Sequence, residues 1–147
     1  MDKRFEPRYA DYARRVRESL ATQPLMSALF GAEATRIEPG RVDVVVAVRE
    51  DMLQPYGNVH GVIASAVADS AAGYAAQTLL AEGSDVVTVE YKINFLAPGV
   101  GQRIRASGYV VRPGRTLSFC AADVYAEDGT ESTLFAHLVT TMMAVTH

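Results

Sequence analysis

Cysteine is almost absent. Cys120 is the only one in 147 residues, so no internal disulfide is possible within the chain and a reducing cytoplasm suits it. Long apolar runs are lacking too. None reaches about 18 residues without a charge, which excludes a transmembrane helix. The charged N-terminus has no apolar stretch of the kind a signal peptide needs. Basic charge is not in excess: 14 Lys and Arg against 17 Asp and Glu give a net charge of −3. That argues against nucleic acid as the main partner, though a local Arg or Lys cluster could still meet a phosphorylated small ligand. Histidine is scarce, and His60, His137 and His147 stand at no metal-ligand spacing, so no metal is expected. There is no repeat, linker or low-complexity tract.

What is present fits one domain with a full core: 49% hydrophobic and 21% charged residues. Phe5, Tyr9, Tyr12, Val16 and Leu20 recur at helical spacing and predict a helix over residues 5 to 20. An accessory helix docked on the domain accounts for it. A membrane-surface or partner-binding helix is the other reading, and Glu6, Asp11 and Glu18 dilute the charge it would need. Pro24 opens a short second turn of helix that ends near Gly31. Residues 33 to 38 and 41 to 49 read as a hairpin about Pro39-Gly40, a pair suited to a type II turn. Residues 50 to 58 are loop. A helix follows from about Gly61 to Leu80, alanine-rich and apolar nearly all round, as a buried helix is. Four strands at about 86 to 97, 101 to 111, 115 to 126 and 131 to 145 complete the chain. Short Gly-containing turns join them, so each is expected to pair with the next as an antiparallel neighbour. One buried helix needs a cover, and a curved antiparallel sheet wrapped around it gives an α+β domain.

The buried helix carries one charge in its middle, Asp69. An unpaired buried carboxylate is strongly disfavoured, so Asp69 calls for a partner or a task. Ionised, it could act as general base on water or attack a carbonyl directly. At the helix start, backbone N–H groups lack intrahelical partners and favour negative charge, and Gly61 offers one without a side chain in the way. That N–H could hold the oxyanion of an acyl group. Gln54 could position water or a carbonyl through its amide. His60 reads as a hydrogen-bond donor that orients the loop. Nine residues separate His60 from Asp69, half a turn net, so the two are expected to face apart and to meet only across a symmetric dimer. Plain readings stand beside these. Asp69 could be an interface carboxylate, Gln54 a loop residue, and Arg112 and Arg115 solvated turn residues. Cys120 reads as a small buried hydrophobe, and Met142-Met143 as strand core or part of an acyl channel.

The pattern Gln54-x5-His60-Gly61-x7-Asp69 on an alanine-rich helix, followed by TVEYKINFLAPG, resembles the hotdog-fold acyl-CoA thioesterases. The nearest groups are the phenylacetate-degradation and 4-hydroxybenzoyl-CoA types. The resemblance covers about residues 30 to 147 and divides the chain into an N-terminal helical extension, 1–30, and a thioesterase domain, 31–147. It implies that Asp69 is nucleophile or general base, that Gly61 supplies the oxyanion N–H, and that His60 supports the loop. It further implies that Gln54 positions water or thioester and that Thr88, in the strand after the helix, orients water or carboxylate. The family builds its site across a dimer, with Asp69 and Thr88 from one chain and Gln54, His60 and Gly61 from the other, and dimers pair into tetramers. Arg112 and Arg115 match a turn that meets the phosphates of coenzyme A. Asn58 and Val62 are expected on the substrate side. Val62 is a departure, since the family has a second glycine there, and a branched side chain would narrow the acyl pocket.

The expectation is thus a homotetrameric, cytoplasmic acyl-CoA thioesterase that hydrolyses a small or medium acyl-CoA, aromatic acyl groups included. It needs no cofactor beyond the coenzyme A carried by its substrate. The alternative is a non-catalytic acyl-CoA-binding or regulatory protein on the same fold, which Val62 motivates. A hydratase is the weaker third reading, because the expected His and acid arrangement is not found.

Overall fold

The computed structural model describes residues 4–147, and the first three residues of the N-terminal extension lie outside it. Helix α1 spans Tyr12–Ala21, and a π-helical turn follows at Leu25–Leu29 with Pro24 at its start. The helix expected from residue 5 therefore begins seven residues later. Pro7 keeps residues 5 and 6 out of the helix, because it disfavours helical backbone at the residue before it, and Asp11 stands at the N-cap where the helix begins. Phe5 instead lays its ring against Gly40.

Six strands form one antiparallel sheet in the order β1-β2-β4-β5-β6-β3. They are β1 (Glu33–Glu38), β2 (Arg41–Ala47), β3 (Ser84–Phe95), β4 (Arg103–Arg112), β5 (Leu117–Asp128) and β6 (Glu131–Thr146). The β1–β2 turn carries Gly40 at φ 77°, as the third position of a type II turn requires. The β4–β5 and β5–β6 hairpins form as their turns predict.

The expected β3–β4 hairpin does not form. β3 pairs with β6 at one end of the sheet, and β4 lies between β2 and β5. Residues 96–102 cross beneath the two intervening strands: the Leu96 N–H donates to the Phe135 carbonyl at 2.9 Å and the Gln102 N–H to the Glu127 carbonyl at 2.8 Å. Eight residue steps from Phe95 to Arg103, at roughly 3.3 Å each, exceed three inter-strand gaps of about 4.8 Å, so the crossing is within reach. Gly99 allows it, because a Cβ there would lie 2.7 Å from the Phe135 ring.

Helix α2 spans Gly61–Gln77, three residues short of the expected end. Thr78 stops it. Its hydroxyl donates to the Ala75 carbonyl at 2.6 Å and accepts from the Gly40 N–H at 2.7 Å, which ties the helix end to the β1–β2 turn. α2 packs against β2 through β6. Ala64, Val67, Ala68, Ala71 and Ala72 are fully buried against Val44, Val46, Ile104, Val124 and Leu138 of the sheet. Val16, Leu20 and Met26 join the same core, so the N-terminal segment shares it with the sheet. The closest approach is at Gly108 of β4, where a Cβ would overlap the backbone of Ala71 and Ala72. The result is the hotdog fold: a curved antiparallel sheet wrapped about one buried helix, with an extra helix at the N-terminus. Among the described residues, no helix is long and apolar enough to cross a membrane.

Gly108→Ala is expected to push the helix off the sheet. Overpacking of this kind costs about 1–3 kcal/mol. Calorimetry should show the thermal midpoint falling by roughly 2–12 °C.

Candidate active site

Two groups of predicted residues assemble, at two places along α2. The first is Asp69 with Thr88. Asp69 sits on the face of α2 that looks toward β3, half-buried, and the Thr88 hydroxyl donates to its Oδ1 at 2.8 Å. A bulge at Val89 follows at once, shifting the β3–β6 register between Thr88 and Glu90. Bulges re-aim side chains, and this one leaves Thr88 paired opposite Met142 on the helix side of the sheet. Burial pushes the Asp69 carboxyl above its usual value of 3.8, and the Thr88 hydrogen bond pulls it partly back. No cation is bonded to Asp69 among the described residues. The Asp–Thr pair opens onto a cavity of about 370 Å³. Ser70, Gly73 and Tyr74 of α2, Val86 of β3 and Met142 of β6 line it, and Ser19, Thr22, Gln23 and Pro24 of the N-terminal segment close it.

The second group lies at the start of α2. The loop before it closes on itself, with the Gln54 N–H donating to the Asn58 carbonyl at 2.7 Å and the His60 N–H to the Met52 carbonyl at 2.8 Å. Gln54 is exposed, and Asn58 is half-buried. His60 is the N-cap, but in the opposite sense to that expected: its Nδ1 accepts from the Val62 N–H at 3.1 Å. A neutral ring then carries its proton on Nε2. The capping role forces this polarity, because helix starts present unpaired donors and need acceptors. The Ile63 N–H donates to the His60 carbonyl at 3.0 Å. This leaves the Gly61 N–H without a partner among the described residues. The Phe95 ring covers Gly61 so closely that a Cβ would lie 2.8 Å from it. Glycine here is therefore set by packing as well as by access. Val62 is 59% exposed, so its side chain stands beside this N–H and outside the core.

The two groups do not meet within one chain. Eight residues from Gly61 to Asp69 span about 12 Å along the helix axis. This axial separation adds to the half-turn that nine residues put between His60 and Asp69. Arg112 and Arg115 are also apart from both groups. Arg112 ends β4, and Arg115 lines a hollow with Leu79 and Leu80 beyond the other end of α2. Cys120 and Met142 are buried core, and Met142 borders the Asp69 cavity as well. Burial pushes the Cys120 thiol up to about 12, which keeps it protonated and inert.

Sequence reasoning missed a polar cluster at the far end of that cavity. Gln77 is 1% exposed, and its amide nitrogen donates to Ser19 Oγ at 3.1 Å and to Asp85 Oδ1 at 3.2 Å. Arg15 faces Asp85 at 3.9 Å. A signal was available: Gln77 is a long polar side chain on the apolar helix, two turns after Asp69. It escaped notice because it lies close to the helix end.

The chain resembles known thioesterases in sequence and in fold. The sequence profile of the Thioesterase superfamily matches residues 56–133. A Saccharolobus solfataricus protein designated an esterase is 33% identical over 93 residues, which is 63% of this chain and 66% of that protein, just under two thirds of its length. The crystal structure of a thioesterase family protein from Silicibacter pomeroyi superposes with a TM-score of 0.89 at 41% identity, covering 92% of this chain and 99% of that one. A protein of the Escherichia coli phenylacetic acid degradation operon shares the fold, with a TM-score of 0.78 at 18% identity over 91% of this chain and 94% of that one. With more than half of its length matched by the superfamily profile, the chain belongs to the thioesterase superfamily of thioester hydrolases.

Proposed function

We propose that the protein hydrolyses a small or medium acyl-CoA, aromatic acyl groups included, to the free acid and coenzyme A. The observation that carries this reading is a carboxylate of raised pKa beside a cavity, with an unpaired helix-start N–H about 12 Å away on the same helix. One chain supplies half a site twice over. A two-fold axis beside Ser65 of α2 and Tyr91 of β3, midway between the two groups, would bring Gly61 to Asp69 of the partner subunit and so complete two sites. β3 suits such pairing. It is a twelve-residue sheet edge with Val87, Val89 and Tyr91 between 44% and 53% exposed, and unpaired edges of this kind seek a partner strand. Further pairing of dimers gives the tetramer.

In the reaction, water attacks the thioester carbonyl carbon while Asp69 takes its proton, or Asp69 attacks first and water opens the resulting anhydride. The Gly61 N–H holds the oxyanion, and a donor so placed is worth about 2.7–4 kcal/mol. Thr88 orients the carboxylate. His60 holds the first turn in place by capping Val62, and Gln54 and Asn58 steer the thioester from the loop. Collapse of the oxyanion breaks the C–S bond and releases coenzyme A, whose phosphates Arg112 and Arg115 meet. No metal or redox cofactor takes part. A non-catalytic acyl-CoA-binding protein is the second reading, and the exposed Val62 beside the Gly61 N–H favours it.

Free-thiol release from aromatic and aliphatic acyl-CoAs decides between the two. Wild type should turn over, and Asp69→Asn should lose at least a hundredfold in kcat. Saturable binding without thiol release from any thioester would select the binding protein.

The rate should follow Asp69 ionisation. Its folded-state pKa is raised, so activity rises through a limb above the ordinary aspartate value of 3.8 and levels off at higher pH. Thr88→Val removes the bond that lowers this pKa and should move the limb to higher pH. The stability contribution has the opposite sense. Folding favours the protonated form, so that contribution is complete below the unfolded pKa and is lost as pH rises through the folded one. Asp69→Asn should therefore melt higher than wild type at neutral pH.

Gly61→Pro and Gly61→Ala both add a Cβ against Phe95, but only proline, which the first helical position tolerates, loses the N–H. Proline should lose about 10²–10³ in kcat relative to alanine. Mixing inactive Gly61→Pro and Asp69→Asn chains by refolding should restore about a quarter of wild-type activity, from one intact site in half of the dimers. No recovery on mixing would refute the shared site.

A further inference from the structure

We propose that Met142 is a positioning residue for Asp69: its thioether sulfur is a second acceptor for the Thr88 hydroxyl and takes that hydroxyl when Asp69 becomes protonated. The inference rests on the thioesterase reading for its part in the reaction. Thr88 Oγ1 lies 2.8 Å from Asp69 Oδ1 and 3.5 Å from Met142 Sδ, within hydrogen-bond reach of both. A threonine hydroxyl carries one proton, so it serves one acceptor at a time. The arrangement is held from several sides. Thr88 and Met142 stand opposite each other in the β3–β6 ladder, just before the bulge. Met142 is 2% exposed, so water does not compete for its sulfur. Gly73, one turn after Asp69 on α2, gives the sulfur its seat, since a Cβ there would lie 3.8 Å from Sδ.

Charge decides which acceptor wins. A carboxylate forms a charge-assisted bond, much stronger than a bond to thioether sulfur, so Thr88 donates to Asp69 while Asp69 is ionised. Protonation removes that charge. The hydroxyl then turns about its Cβ–Oγ1 bond toward Met142 and offers its own lone pairs to the Asp69 O–H. The proton gained by Asp69 is that of the attacking water, and the Thr88 O–H bond does not break. The sulfur stabilises the protonated state alone, and so makes Asp69 a stronger base. It acts in the same direction as burial and against the Thr88–Asp69 bond.

Two other titratable groups line this cavity. Tyr74 of α2 is pushed up to about 12 by burial and by Asp85, and so stays neutral. Asp85 of β3 faces Arg15 of α1 at 3.9 Å. The N-terminal wall brings only the uncharged Ser19, Thr22, Gln23 and Pro24, and β6 brings only Met142. All of these except Met142 are common to the variants compared below.

Carbon-13 NMR titration of the Asp69 carboxyl reads the exchange of acceptors, and the pH–rate limb of thiol release reads its part in catalysis. Met142→Leu conserves volume and removes the sulfur. It should lower the Asp69 pKa by about 0.4–0.7 pH unit, the size set by weak hydrogen bonds, and carry the limb to lower pH with it. Met142→Ile gives the same comparison with a second side chain that lacks sulfur. In a Thr88→Val background neither Met142 variant should move the titration, whereas a Thr88→Ser background, which keeps the hydroxyl, should show the full shift. A packing effect would appear in all three backgrounds and would overturn the proposal, as would an unmoved carboxyl titration in the background that is otherwise wild type. The expected titration without thiol release from any acyl-CoA would sink the thioesterase reading and leave the exchange between Asp69 and Met142 standing. Thiol release with an unmoved titration would do the reverse.

Discussion

The close approach of α2 to β4 is the constraint on which the rest depends. A helix of ordinary side chains would ride well above a sheet, but this one meets the strand through Ala71 and Ala72, and Gly108 gives them room. Dispersion and apolar burial both gain from such contact, because interiors are close-packed and each atom adds a little. The approach also sets the position of everything α2 carries. Asp69 reaches Thr88, Gly61 lies beneath Phe95 and Gly73 faces Val86 and Met142 only because the helix axis is fixed at that height.

Asp69 shows how a charge survives on such a helix. It is placed where the sheet ends, on the face looking at the edge strand β3, so it is half-buried rather than enclosed. One hydroxyl bond and the adjoining cavity compensate part of the lost hydration. What remains uncompensated raises its pKa, the property a general base needs near neutral pH. Stability and chemistry pull in opposite directions at this one atom group.

The N-terminal segment is more than a covering. Val16, Leu20 and Met26 extend the core, while Ser19, Thr22, Gln23 and Pro24 form one wall of the cavity. It precedes the region matched by the superfamily profile, residues 56–133. The region shared with the superfamily therefore holds Gly61, Asp69 and Thr88, and a separate segment shapes the space next to Asp69.

Much of this was legible in the sequence. Alanine content and the lone aspartate marked α2 and its charge, Pro39-Gly40 marked the first hairpin, and β-branched runs marked the strands, because each of these is a local preference of the backbone or of side-chain size. Pro7 and Thr78 could also have been read, and would have trimmed both helices. Strand order could not, since the 96–102 segment looks like a hairpin turn and becomes a crossover only through carbonyls offered by β5 and β6. The polarity of His60 followed from its place as a cap. The pairing of Gln77 with Ser19, 58 residues away in sequence, belongs to packing alone. The sequence by itself determined which residues could carry charge, turn or helix. Tertiary structure decided which of them share a cavity, because burial and hydrogen bonding between distant segments exist only once the sheet has closed around the helix.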